Sequence, residues 1–147
     1  MERTLAFLKP NAIQRSLVGE IISMIEEKGL KIVAMKLLLM NKDQAEKLYR
    51  EHADKDFFDG LMKFVISGPV IAVVLEGSNA VKRLRHITGN NDPLEACPGT
   101  IRGRFGVTVR RNLIHSSDSV DSAAREISIF FKEEELIDYV RTIEGEF

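Results

Sequence analysis

The sequence feature that most constrains the fold is a continuous apolar run at residues 70–75, which follows a Ser-Gly-Pro turn and ends at Glu76-Gly77. A run of this length between turn residues is typical of a β-strand that is covered on both faces. A second short apolar run, residues 4–8, ends at Lys9-Pro10, where proline interrupts strand pairing. We therefore expect a sheet of short strands whose faces are covered by other secondary-structure elements.

Hydrophobic periodicity divides the rest of the chain into alternating elements. The predicted strands are residues 4–8, 30–40, 70–75 and 107–115, and the predicted helices are 17–28, 42–50, 59–65, 79–87, one from Val120, and a short one at 133–140. This order fits an α+β fold, a ferredoxin-like βαββαβ sandwich with a four-stranded antiparallel sheet covered by helices. A large parallel Rossmann sheet is the weaker alternative. Residues 89–103 have no periodicity, and so long an irregular segment in a compact domain is usually functional or disordered.

Composition limits the classes of partner that the chain can have. With 147 residues, of which 44% are hydrophobic, it fits a single domain over residues 1–147. The formal net charge of −1 gives no reason to expect a nucleic acid or an anionic membrane. Cys97 is the only cysteine, which excludes an intramolecular disulfide and fits a reducing compartment. The longest apolar run, residues 32–40, is broken by Lys36 and too short to span a membrane. We therefore predict a cytoplasmic protein with small partners.

One stretch, residues 112–119, combines a histidine with a helix start. The predicted strand ends at His115, and the polar cluster at residues 116–119 is of the kind that caps a helix. Glu126 lies just off the apolar stripe of that helix, where its carboxylate could reach the histidine. A neutral imidazole held at one nitrogen by a carboxylate keeps the other nitrogen free to attack. From this stretch alone, a surface or capping histidine is the more ordinary interpretation.

Other residues suited to phosphate lie at segment ends that a small sheet can bring together: Lys9, His52, Arg85, Arg102 and Asn112. Phosphoryl transfer requires a nucleophile in line with the phosphorus and cations that neutralise the phosphate oxygens. The sequence has no Walker-type phosphate loop, so a bound nucleotide would not use one. It also has no cysteines and histidines at metal-ligand spacing, and we expect Mg²⁺ to arrive on substrate phosphates, with no protein metal site.

Several motifs together resemble the nucleoside diphosphate kinase family. They are the stretch around His115 with Lys9-Pro10-Asn11-Ala12, Phe57-Phe58, Ser67-Gly68-Pro69, Pro98-Gly99-Thr100-Ile101-Arg102-Gly103 and Ser117-Asp118-Ser119-Val120. The resemblance runs from Arg3 to about Tyr139. It implies a ping-pong reaction with Mg²⁺, in which a histidine takes the terminal phosphate of a nucleoside triphosphate and passes it to a diphosphate. His115 would be that nucleophile, and Glu126 the carboxylate that orients it.

The same resemblance implies roles for further residues. It implies phosphate contacts from His52, Arg85 and Arg102, positions near the sugar hydroxyl and phosphates for Lys9 and Asn112, and positions beside the histidine for Tyr49 and Ser117. It also implies a base site with Phe57 on one face, Val109 on the other and Leu61 beside them. Such a site contacts the flat faces of a base and accepts many bases. Finally, it implies homo-oligomers, hexamers or tetramers, with residues 89–103 in the packing between subunits.

Three residues depart from the family pattern. Ser116 stands where the family usually has glycine or alanine, Asn91 where a threonine usually touches phosphate, and Arg104 where an acidic residue is common. Asn91 keeps hydrogen-bonding capacity but has a different reach. The alternative function is a non-catalytic relative that senses nucleotides or binds a partner. The presence of both His115 and Glu126 favours the enzyme.

Overall fold

The computed structural model describes residues 1–146, and its centre is a single antiparallel sheet. The strands are β1 (Glu2–Leu8), β2 (Lys31–Leu38), β3 (Val70–Gly77) and β4 (Ile114–Ser116). They lie in the order β2-β3-β1-β4, and each neighbouring pair is antiparallel. This is the strand order of a ferredoxin-like sandwich, so the predicted fold class is confirmed.

Helices connect the strands and cover the sheet. They are α1 (Pro10–Gln14), α2 (Val18–Glu27), α3 (Lys42–Tyr49), α4 (Phe58–Val65), α5 (Ala80–Thr88), α6 (Ile101–Phe105) and α7 (Val120–Phe130), with single 3₁₀ turns at Arg50–His52, Glu133–Glu135 and Glu144–Glu146. The helices predicted at residues 17–28, 42–50, 59–65, 79–87 and from Val120 are confirmed within a few residues. Among residues 1–146, no helix combines the length and apolar character needed to cross a membrane.

Both faces of the sheet are buried, and β1 shows why. Successive side chains of a strand point to opposite faces. Leu5 and Phe7 therefore join one hydrophobic core, with residues of α3, α4 and α7, whereas Ala6 and Leu8 join another, with residues of α2 and α5. A strand covered in this way needs apolar residues at every position, which accounts for the continuous apolar run in β3.

The strand predicted at residues 107–115 is wrong for most of its length, because only Ile114–Ser116 pair with β1. Leu113 has a φ of 78°, which an extended strand does not allow. The Ile114 N–H bonds to the Asn112 carbonyl at 3.0 Å, closing a γ-turn around Leu113. The strand ladder therefore begins only after this turn, and residues 107–113 form an irregular segment.

The helix predicted at residues 133–140 is also wrong beyond the 3₁₀ turn Glu133–Glu135. The Ile137 N–H instead donates to the carbonyl of Val33 at 2.9 Å, and the Tyr139 hydroxyl donates to the carbonyl of Ile32. These bonds hold residues 137–139 along β2. The Ile137 N–H is therefore used by β2 and not by a helix.

Two short helices were not predicted. α1 begins at Pro10, which fits there because the first turn of a helix has no use for the missing N–H. α6 begins at the end of the segment predicted to be irregular, and the Thr100 hydroxyl caps it by accepting from the Gly103 N–H at 3.0 Å.

The start of α7 gives a prediction about stability. The Ser119 hydroxyl accepts a hydrogen bond from the Ser122 N–H at 3.0 Å and caps the helix. We expect Ser119→Ala to lower the free energy of unfolding by about 1 kcal/mol, because the first turn loses that partner. Ser128→Ala in the same helix is the control, since the Ser128 hydroxyl only donates to the Arg125 carbonyl of an already formed turn. Urea denaturation of both variants would test this, and an equal loss in both would contradict it.

Candidate functional site

His115 occupies the middle of β4 and lies opposite Phe7 in the pairing with β1. Because neighbouring Ile114 points into the core with α2 and α5, the His115 side chain is on the other face of the sheet. Its ring stacks on Phe7, with centroids 5.1 Å apart and planes at 22°, and meets Tyr49 edge-on at 5.9 Å. The ring lines a cleft of about 760 Å³.

The Glu126 carboxylate fixes the orientation of the imidazole. Glu126 Oε1 lies 2.7 Å from His115 Nε2 and also accepts a hydrogen bond from the Ser117 hydroxyl at 2.8 Å. A carboxylate oxygen that accepts from a hydroxyl also accepts from the imidazole, so the proton of a neutral His115 is assigned to Nε2. Nδ1 then carries the lone pair and has no hydrogen-bond partner among residues 1–146. The sequence-based expectation that Glu126 reaches the histidine agrees with this geometry.

Lys9, Asn112 and Asn91 form a chain of hydrogen bonds along the cleft. Lys9 Nζ donates to Asn112 Oδ1 at 2.8 Å, and Asn112 Nδ2 donates to the carbonyl and Oδ1 of Asn91 at 2.9 and 3.1 Å. Lys9 and Asn112 are buried. Burial, with a further contribution from the charge of Arg102, lowers the pKa of Lys9 to about 7. The ammonium group therefore loses its proton near neutral pH unless an anion stabilises it.

Two arginines add positive charge to the same cleft. Arg102 is buried, and its guanidinium donates to the carbonyls of Gly89 at 3.0 Å and Ile114 at 2.6 Å. Burial and the nearby charge of Arg85 lower the pKa of Arg102 to about 10. Arg85 is exposed and makes one long contact, 3.4 Å, to the Ser116 carbonyl. In the described part of the chain neither arginine forms a direct ion pair with a carboxylate. A hydrogen bond from Ser122 and, less strongly, the charge of Arg85 lower the pKa of Asp118, so this carboxylate offsets part of the Arg85 charge.

Three polar atoms of the cleft are buried without a hydrogen-bond partner in residues 1–146: the Tyr49 hydroxyl, His52 Nδ1 and Arg102 Nε. Such atoms normally have a partner in a folded protein. Burial and the charge of Glu126 raise the pKa of the Tyr49 hydroxyl, which keeps it protonated and able to donate. The cleft thus holds hydrogen-bonding groups that a polar ligand would satisfy.

The apolar end of the cleft is lined by Phe57, Leu61 and Val109. Phe57 is 43% exposed and Val109 48% exposed, so they are not ordinary core residues. Leu61 is partly buried and packs against the core beneath them. The His52 ring lies 5.5 Å from the Phe57 ring. The two exposed side chains come from α4's N-terminal end and from the irregular segment, and together they offer an apolar surface to a flat ligand.

All the residues predicted for the site line this cleft or bond to residues that do. Sequence reasoning missed two residues that contact His115 or Glu126. Phe7 stacks on His115, and the alternation of β1 with the register of β4 would have been needed to find it. Arg125 Nη2 lies 3.6 Å from Glu126 Oε2, and only its position directly before Glu126 pointed to it.

The three residues that depart from the family pattern have distinct surroundings. Asn91 is engaged by Asn112 at the cleft. Ser116 is buried in β4, where its carbonyl accepts from Arg85. Arg104 is exposed and pairs with Glu20 at 3.3 Å, away from the cleft. An imidazole nitrogen without a hydrogen-bond partner in the described chain thus lies in the same cleft as Arg85 and Arg102, and such an arrangement suits an anionic ligand.

Comparison with known proteins identifies relatives over the full length. A nucleoside diphosphate kinase from Kosmotoga olearia is 58% identical over 147 residues, which are 100% of both chains. One from Desulforamulus reducens is 55% identical over 98% of this chain and 97% of its own.

Solved structures show the same likeness. A nucleoside diphosphate kinase family protein from Babesia bovis has a TM-score of 0.95 at 42% identity, with 99% of each chain covered. A halophilic nucleoside diphosphate kinase from Halobacterium salinarum, solved in complex with CDP, has a TM-score of 0.96 at 44% identity, covering 99% of this chain and 97% of its own. The family model for nucleoside diphosphate kinase matches residues 2–136. With these matches and this fold, the chain belongs to the nucleoside diphosphate kinase family.

Proposed function

We propose that this protein transfers the terminal phosphate of a nucleoside triphosphate to a nucleoside diphosphate through a phosphohistidine at His115. The observation that carries the proposal is the ring of His115, bonded at Nε2 to Glu126 while Nδ1 has no partner among residues 1–146. A nucleophile oriented by a second group is the arrangement that covalent catalysis requires. Family membership supports the same reaction.

The transfer takes two steps: the phosphoryl group moves first to His115 and then from His115 to the second nucleotide. In the first, the lone pair of His115 Nδ1 attacks the γ-phosphorus, the bond to the bridging oxygen breaks, and the nucleoside diphosphate leaves with that electron pair. In the second, a terminal oxygen of another diphosphate attacks the phosphorus, and the P–N electron pair returns to Nδ1. The Nε2 proton stays on the hydrogen bond to Glu126 throughout, so neither step needs a separate proton transfer.

The cations of the cleft would stabilise the charge that moves with the phosphoryl group. Arg85 and Arg102 lie on the β4 side of the cleft, and both bond to β4 carbonyls, so they are close to the reacting histidine. A fixed cation is effective because it needs no reorganisation as charge develops. We assign Lys9 and Asn112 to the sugar hydroxyl and phosphates, and the protonated Tyr49 hydroxyl and the Ser117 hydroxyl to the surroundings of His115. His52 and Asn91 complete the phosphate contacts.

We propose that Mg²⁺ reaches the cleft bound to the nucleotide phosphates. Residues 1–146 contain no group of three or more His, Cys, Asp or Glu side chains placed to hold a metal ion. A cleft with so few carboxylates fits a magnesium ion that keeps water and phosphate oxygens as most of its ligands. Asp118, whose carboxylate lines the cleft, would hold it through water. The ion would supply neutralisation of the phosphate charge.

We propose that the base lies between Phe57 and Val109 with Leu61 beneath it. Their exposure in the cleft supports this, because apolar side chains left open to solvent at a concave site are typical of ligand contact. The non-catalytic alternative gains no support from the geometry, since a binding module has no need of a histidine oriented by a carboxylate.

We also propose that the chain assembles with copies of itself. Strand β2 is at the edge of the sheet, and residues 137 and 139 bond only to its first half. Met35 and Leu37 in its second half and Leu39 just after it are 52, 66 and 72% exposed. Exposed apolar edge strands favour pairing with another chain. Sedimentation equilibrium would measure the stoichiometry, and a monomer at micromolar concentration would exclude this assembly.

The first functional prediction concerns the covalent intermediate. Incubation with γ-labelled ATP should label the protein, and the label should be stable to base, labile to acid and lost on addition of a nucleoside diphosphate. His115→Ala should abolish the labelling, because no other nitrogen occupies its position. His86→Ala is the matched control, since His86 is an exposed histidine of α5 outside the cleft. Label on the His115→Ala protein would remove the basis of the mechanism.

The second functional prediction concerns pH. Because the pKa of Lys9 is about 7 in the free protein, its charge is lost as the pH rises from 7 to 9. Nucleoside diphosphate affinity should fall over this range, by about tenfold for each unit by which bound phosphate raises the pKa of Lys9. Lys9→Arg keeps its charge and should show no such fall.

Calorimetric titration at pH 7 and pH 9 would measure these affinities, and repetition in buffers of different ionisation enthalpy would count the protons taken up. At pH 7, where free Lys9 is half protonated, wild-type binding should take up about half a proton more than binding to Lys9→Arg. Equal pH dependence in both proteins would show that Lys9 does not contact the phosphates.

A further inference from the structure

Arg110 lies flat against helix α4 at Gly60, beside the apolar end of the cleft. A Cβ atom on Gly60 would lie 2.5 Å from both Cζ and Nη2 of Arg110 and 2.6 Å from Nη1. These nearly equal distances mean that the guanidinium presents its face to the helix. Only a residue without a side chain leaves room for this contact. Gly60 is the third residue of α4, and an added Cβ there would displace the guanidinium from this contact at little cost, because the guanidinium is the far end of a flexible side chain.

The guanidinium has no competing partner. Among residues 1–146, Arg110 forms no hydrogen bond and no ion pair, although it lines the cleft. Its neighbour Arg111 is engaged differently, with its guanidinium 5.2 Å from the Phe64 ring one turn further along α4. One face of the planar Arg110 guanidinium packs against α4. Its five N–H donors lie in that plane and point sideways, away from the packed face.

The position of Arg110 relates it to the base. It directly follows Val109, and the glycine on which it rests lies one helical turn after Phe57. It lines the same cleft as Phe57 and Val109, the residues to which the proposed function assigns the two faces of the base. A third group beside a base held between these two would meet its edge.

We propose that Arg110 is a specificity-determining residue that favours guanine nucleotides over the others. This inference rests on the proposed function in one respect, the binding of a base between Phe57 and Val109. Two parallel N–H groups of a guanidinium match two adjacent acceptors, and guanine offers O6 and N7 in that arrangement. Adenine places an amino donor beside N7, cytosine carries an amino donor at C4, and uracil has the single acceptor O4. Stacking still admits all four bases, and Arg110 adds a preference among them.

The test measures acceptors against the phosphorylated protein. The protein is phosphorylated with ATP, freed of nucleotide and mixed with GDP, IDP, ADP or UDP, and the second-order rate constant for loss of the phosphoryl group is recorded. IDP keeps O6 and N7 but lacks the 2-amino group, so it isolates the contact assigned to Arg110. We expect GDP and IDP to react about tenfold faster than ADP and UDP, the low end for a bidentate arginine contact because Arg110 is exposed.

Three variants separate the bidentate geometry of the Arg110 guanidinium, here called the fork, from its charge and from its position on α4. Arg110→Ala removes the fork, Arg110→Lys keeps the charge without it, and Gly60→Ala keeps the arginine but displaces it from the helix. All three should bring the GDP to ADP ratio to within about twofold of one. Lys63→Ala is the control, since it removes one exposed charge of α4 outside the cleft and should leave the ratio unchanged. A ratio near one in the wild type, or a ratio that survives Arg110→Ala, overturns the proposal.

Equilibrium titration keeps this inference distinct from the proposed reaction. The His115→Ala protein cannot be phosphorylated at that position, yet it should bind GDP more tightly than ADP by a similar factor. Combining His115→Ala with Arg110→Ala should remove the difference. If the wild type forms no phosphoprotein while this binding difference is present, the reaction is wrong and the role of Arg110 stands. If transfer occurs with no difference between GDP and ADP in rate or affinity, the reaction stands and the role of Arg110 is wrong.

Discussion

The pairing of β4 with β1, which sets His115 opposite Phe7, is the constraint on which the site depends. β1 is buried on both faces, so its position is fixed by two cores rather than one. The same strand ends at Lys9, whose side chain reaches Asn112 just before β4. His115 and Lys9 are thus placed by the packing of a central strand. Changes that loosen either core would therefore act on the geometry of the cleft as well as on stability.

The cleft holds charge at a cost to folding. Burial lowers the pKa of Lys9 and of Arg102, which means that the surroundings disfavour the charged forms of both. The Tyr49 hydroxyl is buried beside them with no partner in the described chain, which is also unfavourable. An anionic ligand beside Lys9 and Arg102 would favour the charged forms of both. Groups that lower the stability of the fold in this way would thus contribute to the affinity for an anion.

Periodicity predicted the elements whose apolar residues face a core, such as α3 with its Asn41 cap and α7 with its apolar stripe. It failed at residues 107–113, because Val109 is apolar although it is exposed in the cleft, and a local pattern does not separate such a surface from a core. The contact of Glu126 with His115 followed from helical spacing, whereas the stack on Phe7 depends on strand register. Placement at segment ends made Lys9, His52, Arg85, Arg102 and Asn112 candidates for phosphate contact, and the family resemblance gave each its expected role. Those roles stay predictions. Assembly and a cytoplasmic location stay predictions.

The γ-turn at Leu113 has a consequence for how the chain tolerates changes in length. β4 has only three residues, too few to define its own alignment, and the turn with the buried Leu113 and Ile114 supplies it. Because side chains alternate, one residue inserted or deleted between Asn112 and Ser117 would exchange the places of His115 and Ile114, burying the imidazole and presenting an aliphatic group to the cleft. Residues 89–100, ahead of α6, are not under this parity rule. Natural variation in loop length should therefore be confined to that side of the turn.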